Sequence, residues 1–479
     1  MGTTFDRGEQ AFAGINYPSR AEAVVHDLVV EGQLPADLNG AYYRLGPDPA
    51  HPPTYQGVLP IMDGDGMMVM FHFREGQVDF RSRYVQTERY QLEHTANRAL
   101  YGPYRNPFFD DPSVQGTDRG EANTTARMHA GILWALKEDA LGISIEPLTL
   151  RTLGVHDFDG HVTSKTMTAH PKLDPRTGEM IFYGAAAKGE TTPDIAFYIA
   201  DRDGKITTQE WFQAPYASMV HDFAVTEKWI IFPVMPCVSN LERLRQGGSI
   251  YDWEPERGMY LGIMPRDGSA ADVRWAHSDA RWFYHVMNAY DDGDVIRLDV
   301  AEAAIQPFPW FHVDPAKTWN QRDAEGHLTR WTINPRTGSL STQQLLDYSS
   351  EFPRLDERFE LGTYRHGYLL VNDPAKPEVT GYNSVGHYDH HTGALTKVWA
   401  GEHISFEEPQ FVPRSADAPE GDGYLLAIRH HADTMLSDLI VIDTADFAAG
   451  PIAVVALPFR LRPGTHGTWV DEGDLVPKT

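Results

Sequence analysis

The hydrophobic positions of this chain fall in short runs of aromatic and β-branched residues, such as MIFYGA and ALTKVWA, separated by polar, turn-forming breaks. The breaks resemble one another: Glu75-Gly76, Asp174 to Gly178 in DPRTG, Asp201 to Gly204 in DRDG, Asn334 to Gly338 in NPRTG and Asp389 to Gly393 in DHHTG. Glycine tolerates the positive φ that tight hairpins demand, so each break between two strand-forming runs predicts a β-hairpin. No long segment repeats its apolar residues with a helical period, which favours an all-β closed architecture over alternating strands and helices. The spacing of the hairpins is irregular and no exact repeat is present. By pattern alone a large sandwich, a barrel and a propeller all remain open.

Composition sets limits on this picture. With 479 residues the chain is long enough for two or three domains, yet closed β-architectures of this size occur as one unit. No Ser/Gly-rich linker, low-complexity tract or abrupt shift of composition interrupts it, so residues 1–479 read as a single domain. Hydrophobic residues make up 42% of the chain, ample for a large core. The net charge of -26 argues against nucleic acid and anionic membrane surfaces as partners, and favours neutral or weakly acidic ligands. A homo-oligomer is compatible with the sequence. Cys237 is the single cysteine, which excludes an intramolecular disulfide. MGTTFDRGEQ lacks the cationic and apolar pattern of a signal peptide, and the longest apolar run, WIIFPVMPCV, is too short to span a bilayer and contains two prolines. The expected location is cytoplasmic.

Candidate chemistry gathers on histidine. Four of the 21 histidines lie in or beside strand-forming runs: His170 in TMTAHPKLD, His221 in SMVHDFAVT, His285 in WFYHVMNAYDDGD and His466 in RPGTHGTWV. A lone histidine beside an apolar run is usually a satisfied core residue. Four strand ends converging on one point would instead offer four neutral imidazoles to Fe(II), leaving one or two positions free. Competing metal patterns are weaker. His221-Asp222 does not have the usual spacing of a two-His, one-carboxylate iron site, no HExxH occurs, and Cys237 has no companion for zinc. The DGDGM segment from Asp63 to Met67 lacks the remaining oxygen ligands of an EF-hand and reads as a tight turn.

Around these histidines the sequence resembles the carotenoid cleavage oxygenase family, within it the lignostilbene dioxygenase and isoeugenol-cleaving branch. The resemblance runs nearly end to end, through NGAYYRLGPDP, MDGDGMMVMFHF, YRNPFFDDPSVQG, LKED, AHPKLDPRTGEM, MVHDFAVT, EFPRLDERF, EPQFVPRSADAPEGDGY and LPFRLRPGTHG. It implies a seven-bladed β-propeller with a cap of loops over one face and a non-haem Fe(II) on the axis. His170, His221, His285 and His466 are the implied ligands, and the reaction is the splitting of an alkene by O2 into two carbonyls. It further implies that Glu138, Glu351 and Glu408 hold the second ring nitrogen of three of the ligands, since carboxylates orient metal-bound imidazoles well.

The same resemblance bears on substrate. In the stilbene-cleaving branch a Tyr and a Lys grip a phenolic oxygen, and the matching positions are Tyr104 and Lys137. An ammonium near a phenol of pKa about 10 favours the phenolate, which sends electron density into a double bond conjugated with the ring. A carotenoid has no phenol. Thr124 matches a residue whose methyl group crowds a remaining iron position. Met62 stands where relatives often carry a Phe against the substrate ring, which leaves substrate size open. The aromatic segment PFPWFHVDP, with Phe308, Trp310 and Phe311, suits either a wall for a planar substrate or packing between strands. The expected activity is therefore an oxidoreductase of aromatic catabolism: an Fe(II) dioxygenase cleaving the C=C bond outside the ring of 4-hydroxyphenyl alkenes, stilbenes or phenylpropenes, to aromatic aldehydes such as vanillin. An apocarotenoid-cleaving oxygenase is the first alternative, and a propeller that has lost catalysis and serves as a binding module is the second.

Overall fold

The structure, a computed structural model, describes residues 4–59, 61–312 and 319–475. It is all-β. The α-helices among the described residues are Glu88–Ala96 and the single turn Leu241–Arg245, and no helix there is long and apolar enough to cross a membrane. Seven antiparallel sheets of four to six strands, with one two-stranded ribbon, make a seven-bladed β-propeller.

The polypeptide divides into two compact units. One comprises Met1–Asp159, Pro374–His387 and Thr396–Thr479, the other Gly160–Asp373 and Tyr388–Leu395. In the second unit three four-stranded sheets follow one another along the sequence, beginning with Lys172–Leu173, Ala224–Val225 and Trp282–Asp292. Their middle strands are sealed on both faces: every residue of Asp194–Ala200 is buried, whereas the outer strand Ile206–Gln213 has several exposed positions. Phe197, Phe223, Phe232 and Ile230 pack into one cluster that joins two of these sheets.

The first unit ends as it begins. Gly40–Pro47 pairs with Gly66–Arg74 on one side and with Gly467–Asp471 on the other, in a register that sets Tyr42 opposite Trp469 and Arg44 opposite Gly467. A second sheet of this unit combines Val30–Gly32 with Pro451–Ala456 in the same way.

The hairpins expected from the sequence are present. Arg74 pairs with Gln77 across Glu75-Gly76, both at positive φ (52° and 79°), the geometry of a two-residue turn that matches strand twist. Leu173 faces Met180 across DPRTG and Ile333 faces Leu340 across NPRTG. The DGDGM segment is a tight turn, pinned by Asp63 Oδ2 accepting from the Leu59 amide (2.8 Å) and Asp65 Oδ2 accepting from the Ala50 amide (2.9 Å). Gly66 is required where it stands, because a Cβ there would lie 2.0 Å from the Ala122 carbonyl oxygen.

Candidate metal centre

Three of the four histidines converge within the second unit. His170 lies two residues before Lys172–Leu173, its amide donating to Thr168 Oγ1 (3.0 Å). His221 precedes Ala224–Val225 on a segment held by Tyr183, whose hydroxyl donates to the Val220 carbonyl (2.9 Å). His285 sits inside Trp282–Asp292, where the ladder to the next strand slips between Phe283 and Val286, and such a bulge re-aims the residue it contains. The Nε2 atoms of His170 and His221 are 3.0 Å apart and those of His221 and His285 3.3 Å apart. Ligand atoms of all three rings lie within 4.8 Å of one another.

This arrangement fits a metal ion. Two nitrogens each about 2.1 Å from one ion and at right angles to it stand about 3.0 Å apart. Three imidazole nitrogens facing one another can share protons only in pairs, whereas one cation accepts a lone pair from each. The tautomer of His285 is fixed to suit. Its Nδ1 lies 2.6 Å from Glu351 Oε2, so the N–H points at the carboxylate and the Nε2 lone pair faces the cluster. The Glu351 carboxylate also accepts the Phe352 amide, and the Phe352 ring stacks on His285 at 5.1 Å and 30°.

His466 belongs to the other unit and repeats the design. Its Nδ1 is 2.8 Å from Glu408 Oε1, and the neighbouring Gly467 amide donates to Glu408 Oε2 (3.1 Å). The His466 amide donates to the Thr124 carbonyl (3.1 Å), which places Thr124 directly beside this histidine, buried, with its hydroxyl donating to Asn123 Oδ1 (3.0 Å). Glu138 is half-buried and accepts from the Tyr104 hydroxyl at 3.4 Å.

Tyr104 and Lys137 meet, both buried. The Lys137 ammonium stands 4.8 Å from the centroid of the Tyr104 ring. It donates to the Glu121 carboxylate and to the carbonyl of Met62, and lies 3.8 Å from Asp139 Oδ2. Burial by itself pulls the lysine pKa down, but Glu121 and Asp139 outweigh it and leave the net shift upward, so the amine stays cationic. Glu121 is in turn braced by Arg89 Nη1 (2.9 Å) and the Gly64 amide (3.2 Å), which ties the lysine to the DGDGM turn. Asp139, half-buried, is pushed up to about 7 by desolvation and by the charge of Glu121. The thioether of Met62 is buried at the same turn.

The aromatic segment divides. Phe311 is fully buried against Tyr251, which is packing, while Phe308 and Trp310 stack on each other at 4.6 Å and remain partly exposed. Phe308 meets Tyr284 edge-on (5.1 Å), and Tyr284 meets the His221 ring (4.7 Å), so this part of the segment forms a continuous aromatic surface with the histidines. The last three residues of PFPWFHVDP lie outside the described residues. Tyr284, Phe352 and Glu121 were not singled out from the sequence. Tyr284 and Phe352 each carry a signal there, as the neighbours of His285 and Glu351.

The chain is similar over nearly its whole length to proteins of one family. The chain is 47% identical to isoeugenol monooxygenase of Pseudomonas putida over 97% of this chain and 99% of that protein. It is 40% identical to lignostilbene-alpha,beta-dioxygenase isozyme III of Sphingomonas paucimobilis over 96% and 97%. The crystal structure of Pseudomonas brassicacearum lignostilbene dioxygenase superposes with a TM-score of 0.95 at 39% identity, covering 98% of this chain and all of that one. Residues 16–471 match the family model described as retinal pigment epithelial membrane protein, RPE65, and the chain belongs to that family, the carotenoid cleavage oxygenases.

Proposed function

We propose that this protein is an Fe(II)-dependent oxygenase that cleaves the C=C bond outside the ring of 4-hydroxyphenyl alkenes, phenylpropenes such as isoeugenol or hydroxylated stilbenes, to aromatic aldehydes such as vanillin. The observation that carries the reading is the convergence of His170, His221 and His285, with His285 oriented by Glu351. His466, oriented by Glu408, is the fourth ligand in this reading, and Glu138 holds a further ring. Fe(II), when bound, supplies the one-electron chemistry through which O2 reacts with a closed-shell alkene. Residues 1–479 act as one cytoplasmic propeller domain.

The protein's own residues do the rest. Lys137 stays charged in a buried place because Glu121 stands against it, so it can bind and stabilise a phenolate. Tyr104 hydrogen-bonds the same phenolic oxygen. Charge on that oxygen delocalises to the conjugated alkene and makes it a better nucleophile toward oxygen. Tyr284, Phe308 and Trp310 offer an apolar surface for a planar ring and exclude water from the histidines. Thr124 limits the space beside His466.

The test is a parallel assay. Fe(II)-loaded protein with O2 is offered isoeugenol, 4-vinylguaiacol, a hydroxystilbene and an apocarotenal, and the carbonyl products are identified. Vanillin from isoeugenol, or a hydroxybenzaldehyde from the stilbene, is the expected result; cleavage of the apocarotenal alone would overturn the phenolic reading. Labelled O2 then shows whether one or both product oxygens come from O2.

A further inference from the structure

Asp222 makes three contacts that together join three segments of the second unit. It is almost fully buried. Its Oδ1 accepts from the ammonium of Lys172 (2.8 Å), two residues beyond His170, and from the Phe223 amide (2.7 Å) on its own segment. Its Oδ2 accepts from the amide of Val286 (2.8 Å), the residue after His285. Asp222 itself follows His221. One carboxylate is thus fastened to the backbone or a side group within two residues of each converging histidine.

We propose that Asp222 is a positioning residue that sets the mutual spacing of His170, His221 and His285, with Lys172 as its counter-charge. The proposal rests on the metal reading above. Strand pairing does not do this work: His170 and His221 lie outside the regular strands, and His285 lies in the irregular stretch of its own. Without a common anchor the three segments would be held near the site only by separate sheets. Lys172 matters for a second reason. A buried carboxylate without a counter-charge is costly, and the Lys172 ammonium offsets that cost so that Asp222 can stay ionised and keep its contacts. Residues that orient ligands without touching the metal typically change affinity about 10- to 100-fold when replaced.

Two variants test this, with Co(II) as the probe in the otherwise intact protein. Asp222→Glu keeps the charge, and so the pairing with Lys172, but its longer arm cannot keep all three contacts at their present length. The double variant Asp222→Asn/Lys172→Met removes both charges together. The expected result for each is a folded protein by circular dichroism, a Co(II) Kd raised at least tenfold, and a changed visible absorption of the bound cobalt, which a merely structural role would not move. A folded variant with a Kd within twofold of the parent and the same cobalt spectrum overturns the proposal. So does failure of both variants to fold, which would make Asp222 a folding residue. The parent and His221→Ala are run alongside: if the parent does not bind Co(II), or His221→Ala binds it equally well, the metal reading has failed instead.

Discussion

Glu351 Oε2 stands 2.6 Å from Nδ1 of His285, and the residue next to that glutamate, Phe352, lies flat against the same imidazole from a left-handed backbone conformation, φ 51°. Such a conformation is unfavourable for a bulky residue and persists where surrounding contacts over-determine it. Here the ring is gripped at its edge and on its face at once. Replacement of His170, His221, His285 or His466 by Ala is expected to lower iron content and abolish cleavage while the β circular-dichroism signature persists. Glu351→Gln and Glu408→Gln should be milder, lowering metal affinity or turnover about 10- to 100-fold. Metal analysis and steady-state rates on the same preparations check both, and a histidine variant with full iron and full turnover removes that residue from the site.

Lys137→Met removes the ammonium and keeps much of the apolar stem. Loss of a buried hydrogen bond to a charged group costs about 1.5 to 3 kcal/mol, which is roughly a ten- to hundredfold fall in kcat/KM for a phenolic alkene. A 4-methoxy analogue, which cannot become a phenolate, should be a comparably poor substrate of the parent enzyme. Equal rates on the hydroxy and methoxy compounds would sink the phenolate mechanism.

Acid should weaken the first unit through Glu407. Burial would raise this carboxyl, but Arg44 and His430, both hydrogen-bonded to it, hold it down at about 2. The folded value lies below the unfolded one, so the stabilisation is complete above about pH 4.5 and is lost as the pH falls toward about 2. Glu407→Gln leaves Arg44 buried without its counter-charge and should destabilise by about 3 to 5 kcal/mol at neutral pH. Urea unfolding across pH 3 to 7 is the measurement: the variant should show a flatter acid limb than the parent.

Removing the metal should leave the sheets standing. Chelator treatment is expected to abolish cleavage without loss of the β signal, because the blades close through strand pairing and apolar packing. Readdition of Fe(II) should restore activity and raise the Tm in a concentration-dependent way. A chelated protein that unfolds at room temperature would show that the ion is part of the core.

The hairpins at Glu75-Gly76, DPRTG and NPRTG were legible because a two- to five-residue turn carries its whole cause in its own residues. The converging histidines were legible for a different reason, the long motifs around them. What could not be read is what depends on register. Nothing local marks the slip that frees His285 or the one between Glu351 and Arg354. Lys137 in LKED has a role only through the resemblance; nothing local shows that Glu121, braced by Arg89, pairs with it in a buried place. Phe308 and Phe311, three residues apart in one aromatic run, differ in role because one faces Tyr284 and the other Tyr251.

The pairing of Gly40–Pro47 with Gly467–Asp471 has a consequence for how the enzyme comes to life. A polypeptide emerging from the ribosome makes Tyr42 long before its partner Trp469, so this sheet waits, one strand short, until Gly467–Asp471 is made. His466 directly precedes the strand that fills the gap. The proposed fourth ligand is therefore delivered by the same event that completes this sheet, and a nascent or C-terminally clipped polypeptide would hold iron weakly at best. With the proposed ligand set, full metal affinity would then come only after this sheet is complete.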